Sequence, residues 1–115
     1  MAKLTTHILD TANGRPASNV AIRLYAAGKD RSLLVATASN SDGRCDAPLL
    51  EGNAMRTGEY ELEFDVGPYF AALGNTLDDP PFLNTIVLRI GLHADQGYHV
   101  PLLVSPWSYS TYRGS

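Results

Sequence analysis

Cysteine is nearly absent from this chain. Cys45 stands alone among 115 residues, so no intrachain disulfide can form, which suits a reducing compartment. It has no Cys or His neighbours at zinc-ligand spacing, and its expected role is that of a small apolar filler. Histidine occurs only three times. There is no Gly-x-Ser-x-Gly elbow, no glycine-rich phosphate loop and no His-Glu-x-x-His pair. Positive charge is thin as well: nine Lys and Arg, scattered singly, face twelve Asp and Glu for a net charge of −3. Nucleic acid, which requires clustered cations, is therefore not an expected partner. No run approaches the roughly 20 apolar residues of a membrane span. The opening Met1-Ala2-Lys3-Leu4-Thr5-Thr6-His7 carries no apolar signal core, and the last three residues are not the usual peroxisomal tripeptide. Cytoplasm is the expected location, with no membrane partner.

What is present is alternation. A chain of this length is expected to form one domain, residues 1–115, and to bury about two thirds of its unfolded surface without a staple. Residues 4–10 read as a first strand, ended by Asn13-Gly14-Arg15-Pro16. Val20, Ile22 and Leu24 alternate with Ala21, Arg23 and Tyr25, the period of a half-buried strand. A third strand over 33–39 leads into the turn Asn40-Ser41-Asp42-Gly43, where glycine accepts the positive φ that Asp-Gly turns need. Tyr60, Leu62 and Phe64 alternate with Glu59, Glu61, Glu63 and Asp65, so the carboxylates are expected on one solvated face. Residues 66–73 predict a two-turn helix. Further strands are expected around Ile86, Leu88 and Ile90, over 98–105 and over 109–113. Short strands at this spacing predict an all-β fold, an antiparallel β-sandwich of seven to eight strands with one short helix.

The same alternation assigns faces to two histidines. His7 shares a side with Thr5 and Leu9, opposite Leu4, Thr6 and Ile8. His99 shares a side with Pro101, Leu103 and Ser105, while Tyr98, Val100, Leu102 and Val104 make the better core stripe. Both histidines are thus expected on outer faces, and the His99 face is apolar enough to predict cover by another subunit. His93 falls in a polar loop and is read as solvated. Arg44, just after Asp42-Gly43, is either a surface charge or a fixed cation aimed at an electron-rich ligand.

Three segments resemble one family. The closing Tyr112-Arg113-Gly114-Ser115, preceded by Tyr109-Ser110-Thr111, resembles the C-terminal signature of 5-hydroxyisourate hydrolases. Thr6-His7-Ile8-Leu9-Asp10 with Gly14-Arg15-Pro16-Ala17 is similar to their N-terminal signature, and Ser41-Asp42-Gly43-Arg44 to a third element. One departure is Gly97-Tyr98-His99, where many members carry His-Tyr-His, and Trp107 stands where a smaller aromatic is expected. The resemblance implies a transthyretin-like sandwich that hydrolyses 5-hydroxyisourate to the ureidoimidazoline on the way from urate to allantoin. It implies His7, Arg44 and His99 as catalytic residues and Tyr112, Arg113, Gly114 and Ser115 as substrate-binding ones. No metal or organic cofactor is implied. A homotetramer is, with active sites between two dimers.

A neutral imidazole suits the removal of a proton from attacking water, because its ordinary pKa of about 6.5 lies near working pH. Arg44 would keep the base neutral and stabilise negative charge on the carbonyl oxygen. The rival expectation is a transthyretin-like carrier that binds a small aromatic ligand without turnover. It would have no need of two histidines, an arginine and the terminal motif together.

Overall fold

Period-two alternation in sequence becomes two packed sheets in the fold. The structure, a computed structural model, describes residues 2–114. The strands are β1 (Lys3–Asp10), β2 (Arg15–Pro16), β3 (Ala21–Ala26), β4 (Ser32–Ala38), β5 (Leu50–Glu51), β6 (Gly58–Asp65), β7 (Thr85–Leu92), β8 (Tyr98–Val104) and β9 (Tyr109–Thr111). One helix, α1 (Val66–Ala72), follows β6. The first sheet runs β2-β1-β8-β9, with β5 also on β1, and the second runs β4-β3-β6-β7. This is the expected sandwich. Its two shortest strands escape the sequence pattern: β2 lies where the sequence reads as a turn, and β5 in a stretch without a legible period, since two residues are too few to show one.

Pairing is antiparallel everywhere among the described residues except between β1 and β8, which run parallel with Thr5 opposite His99 and His7 opposite Pro101. These two strands lie at opposite ends of the chain, so no hairpin constrains their direction.

The inner faces interdigitate. Leu4 and Ile8 of β1 and Leu102 and Val104 of β8 meet Ile22, Leu24, Leu62 and Phe64 of the second sheet, all fully buried. Each such side chain contributes about 1.5–3 kcal/mol of burial before chain entropy is counted. Val66, Tyr69 and Phe70, spaced i, i+3 and i+4, give α1 the buried stripe that seats it on the core. The carboxylates of β6 occupy the opposite face, as expected, and there they meet arginines. Arg23 grips Asp65 with both terminal nitrogens at 2.8 Å, and Arg31 and Arg89 pair with Glu59, Glu61 and Glu63.

One carboxylate goes inward. Asp10 ends β1 almost fully buried, and four donors satisfy it. Its Oδ1 accepts from the Ala12 and Asn13 amides at 3.0 and 2.9 Å, and its Oδ2 from Asn13 Nδ2 at 2.8 Å and the Tyr69 hydroxyl at 2.7 Å. Burial alone would raise the Asp10 pKa, but these hydrogen bonds together hold it below the usual carboxylate range. A depressed carboxyl stabilises the fold above its unfolded pKa of about 3.9 and ceases to do so as pH falls through the folded value. Tyr69→Phe is therefore expected to cost about 1.5–3 kcal/mol at neutral pH. It should also move the acid-unfolding midpoint to higher pH, both read by circular dichroism.

Candidate active site

Three pieces of backbone pairing build the site on the outer face of the first sheet. The parallel β1–β8 register brings Thr5 beside His99. An isolated bridge joins His7 to Arg44, and another joins His99 to Gly114. His7, His99, Arg44 and Gly114, expected from sequence to act together, are thus brought together although they span almost the whole chain.

The turn that presents Arg44 is tied by Asn40. Its amide donates to the Arg44 carbonyl at 2.7 Å and its carbonyl accepts from the Gly43 amide at 2.9 Å. Its Oδ1 accepts from the Asp42 and Arg44 amides at 2.9 and 3.2 Å, the side-chain mimicry of a turn that makes Asn common in such loops. Gly43 sits at φ 75°, and its carbonyl accepts from the Ile8 amide at 2.7 Å, locking the turn onto β1.

The imidazoles of His7 and His99 lie 6.4 Å apart, centroid to centroid, tilted by 41°. His7 Nε2 is 2.8 Å from the Asp42 carbonyl. A carbonyl only accepts, so Nε2 carries the proton and donates it, and the neutral ring keeps its lone pair on Nδ1. His99 Nδ1 lies 2.9 Å from Thr5 Oγ1. Burial, then the Arg44 cation, then His7 lower the His99 pKa below its ordinary value, each disfavouring a second positive charge there. In an NMR titration the midpoint of His99 is expected below about 6.5. Arg44→Ala should move that midpoint upward without restoring the ordinary value, because burial is the largest cause.

Gly114 packs directly on this ring. Its amide donates to the His99 carbonyl at 2.7 Å, and an added Cβ would lie 3.0 Å from His99 Cδ2 and 3.1 Å from the His99 carbonyl oxygen. Gly114→Ala is therefore expected to push the imidazole aside and lower turnover about tenfold or more, while the melting temperature, measured in parallel, changes little.

Not every residue of the closing tetrapeptide gathers here. The pairing offset that sets Thr111 opposite Leu102 and Gly114 opposite His99 carries Tyr112 across from Pro101, on the histidine face, where it is 60% exposed. Arg113 turns the other way. Its Nη2 donates to Gln96 Oε1 at 2.9 Å, and its guanidinium stacks 4.4 Å over the ring of Tyr98, on the core side of β8. Ser115 lies outside the described residues. His93 is exposed at the end of β7, as its loop position predicts.

A hollow of about 340 Å³ adjoins the histidines through Thr5 and Arg44, with Lys3, Cys45, Asp46 and Pro48 completing much of its wall. That is the low end of small-ligand cavities. A hollow of about 290 Å³ between Arg15 and Tyr69 contains none of the clustered residues. Among the described residues no three His, Cys, Asp or Glu side chains converge as metal ligands would. No helix among them is long and apolar enough to cross a membrane.

Two contributors escape sequence reasoning. Thr5 shares the His7 face by alternation, yet only the parallel register puts its hydroxyl on His99. Asp42 acts through its carbonyl, which no side-chain pattern signals.

The chain is similar to known proteins over its whole length. The family model described as HIUase/Transthyretin matches residues 4–114. The 5-hydroxyisourate hydrolase of Ralstonia nicotianae is 56% identical over the full length of both chains. That of Pseudomonas aeruginosa is 51% identical, covering all of this chain and 93% of its own. Among solved structures, Klebsiella pneumoniae 5-hydroxyisourate hydrolase superposes with a TM-score of 0.83 at 30% identity, each chain fully covered. An (S)-allantoin synthase superposes with a TM-score of 0.94 at 46% identity, where 99% of this chain matches 44% of that one.

Proposed function

Because the chain belongs to the HIUase/transthyretin family and is a hydrolase, we propose that it opens the six-membered ring of 5-hydroxyisourate with water, as a step of urate degradation. The observation that supports this reading most is the meeting of two half-buried imidazoles and an exposed guanidinium on one face of the sheet. The product is 2-oxo-4-hydroxy-4-carboxy-5-ureidoimidazoline. Water adds to a ring carbonyl carbon while a neutral His7 or His99 takes its proton. The ring C–N bond then breaks, the departing nitrogen takes a proton, and the oxygen from water remains on the new carboxylate. None of these steps calls for a metal or an organic cofactor.

Arg44 faces the carbonyl oxygen as negative charge develops on it. Its charge also favours the uncharged form of His99. Gly114, having no Cβ, lets its segment close against the His99 ring and hold it in place. Tyr112 and Ser115 supply hydrogen bonds that a planar, polar substrate needs once it leaves water, while the Arg113 guanidinium, held on Gln96 and Tyr98, anchors the segment that carries them.

The protein assembles as a homotetramer with the site between two dimers. The half-buried Leu103 on the histidine face supports this, together with Trp107 and Tyr112, which are 56% and 60% exposed, whereas Pro101 is already buried within the chain. Light scattering behind a sizing column should give four chains. The chain works as one domain, residues 1–115, in the cytoplasm, where the half-buried thiol of Cys45 stays reduced.

A short pulse in ¹⁸O-water tests the chemistry. Mass spectrometry should find one heavy oxygen in the ureidoimidazoline before the uncatalysed reaction has advanced. Absence of labelled product above the enzyme-free control in that interval contradicts the proposal.

A further inference from the structure

Two hydrogen bonds give the paired imidazoles opposite characters. The Asp42 carbonyl consumes the Nε2 proton of His7, leaving the Nδ1 lone pair open. At His99 the contact is to Nδ1, and its partner, the Thr5 hydroxyl, makes no other hydrogen bond among the described residues. The hydroxyl has one proton to place, and among the described residues the acceptor it meets is His99 Nδ1. Donation to Nδ1 satisfies it and leaves the neutral His99 ring with its proton on Nε2.

Resting on the hydrolase reading above, we infer that Thr5 is a positioning residue that fixes His99 as a hydrogen-bond donor through Nε2, so that His7, through Nδ1, is the base. Water gives its proton to His7 Nδ1 as it adds to the ring carbonyl. The His7 imidazolium returns that proton to the departing nitrogen. His99 keeps its own proton throughout and holds the carbonyl oxygen by a hydrogen bond, alongside Arg44. The three groups that face His99 from neighbouring segments support the assignment. Thr5 of β1 sets the ring's tautomer, and Arg44 with His7 opposes a charged ring. A neutral donor loses no proton in the cycle, so a ring that resists protonation suits it better than it suits a base.

Thr5→Val keeps the shape and the strand preference of the side chain while removing the hydroxyl. Long-range ¹H–¹⁵N spectra of the ligand-free protein report imidazole tautomers directly. The wild type is expected to show His99 protonated on Nε2 and His7 likewise. Thr5→Val should shift His99 towards a tautomer mixture, leave His7 unchanged, and lower kcat about tenfold with KM nearly constant. Thr5→Ser should restore both the spectrum and kcat. A wild-type His99 protonated on Nδ1 overturns the inference, and so does a Thr5→Val protein with unaltered tautomer and rate. A Thr5→Ser variant as impaired as Thr5→Val, with the fold intact in both, overturns it as well. If the tautomers behave as stated while the wild type shows no hydrolysis, the positioning role stands and the substrate assignment fails.

Discussion

Replacing Arg44 with alanine is expected to slow hydrolysis of 5-hydroxyisourate by about 10²–10³-fold, the usual cost of removing one preorganised stabiliser of a developing oxyanion. Thermal stability should stay near the wild-type value. The reason for that separation is structural. The Arg44 side chain is exposed and forms no ion pair among the described residues, unlike Arg23, Arg31 and Arg89 on the other sheet. The bonds that hold its segment run through backbone and the Asn40 side chain, and all survive truncation. Arg44→Lys should fall between, because a compact ammonium keeps the charge but loses the planar fork. Steady-state kinetics and a melting curve on each variant check the pair of expectations. A large loss of stability in Arg44→Ala would mean that the guanidinium serves the fold instead.

Gly43→Ala should do the reverse, damaging fold and activity together. At φ 75° an L side chain is strained by roughly 1–2 kcal/mol. The larger obstacle is space: a Cβ would lie 2.4 Å from the Ile8 carbonyl oxygen and 3.2 Å from the Pro16 Cβ. The first is backbone of β1 and the second belongs to the stiff ring of Pro16 on β2, so relief requires the turn to lift away, at a further cost of about 1–3 kcal/mol. The melting temperature is expected to drop by about 10 °C or more. Because the same movement withdraws Arg44 and the Asp42 carbonyl, turnover in the folded fraction should also fall. An alanine variant with unchanged melting and full activity would show that the turn is not pinned to β1.

The alternation of Tyr60, Leu62 and Phe64 with four carboxylates was enough to place β6 and both of its faces. The same reasoning put His7 and His99 on outer faces. Those positions were legible because period two is a property of neighbours in sequence. The meeting of β1 and β8 was not, since parallel pairing between the two ends of the chain leaves no local trace. For that reason Thr5 read only as a face-mate of His7, and its contact with His99 stayed hidden. Arg44 illustrates the middle case. The Asp-Gly turn before it was plain, but the backbone bridge that sets it beside His7 left no trace in the sequence. Arg113 belongs to a motif that reads as one unit, yet its side chain stacks on Tyr98, away from the histidines, because adjacent residues of an extended segment point to opposite faces.

The most direct measurement is the absorbance of 5-hydroxyisourate generated in place by urate oxidase, followed with and without this protein. Decay should accelerate in proportion to the wild-type protein added, and His7→Ala, His99→Ala and Arg44→Ala should each lose most of that acceleration. Decay at the spontaneous rate with folded wild-type protein would contradict hydrolysis and leave a ligand carrier as the reading to test.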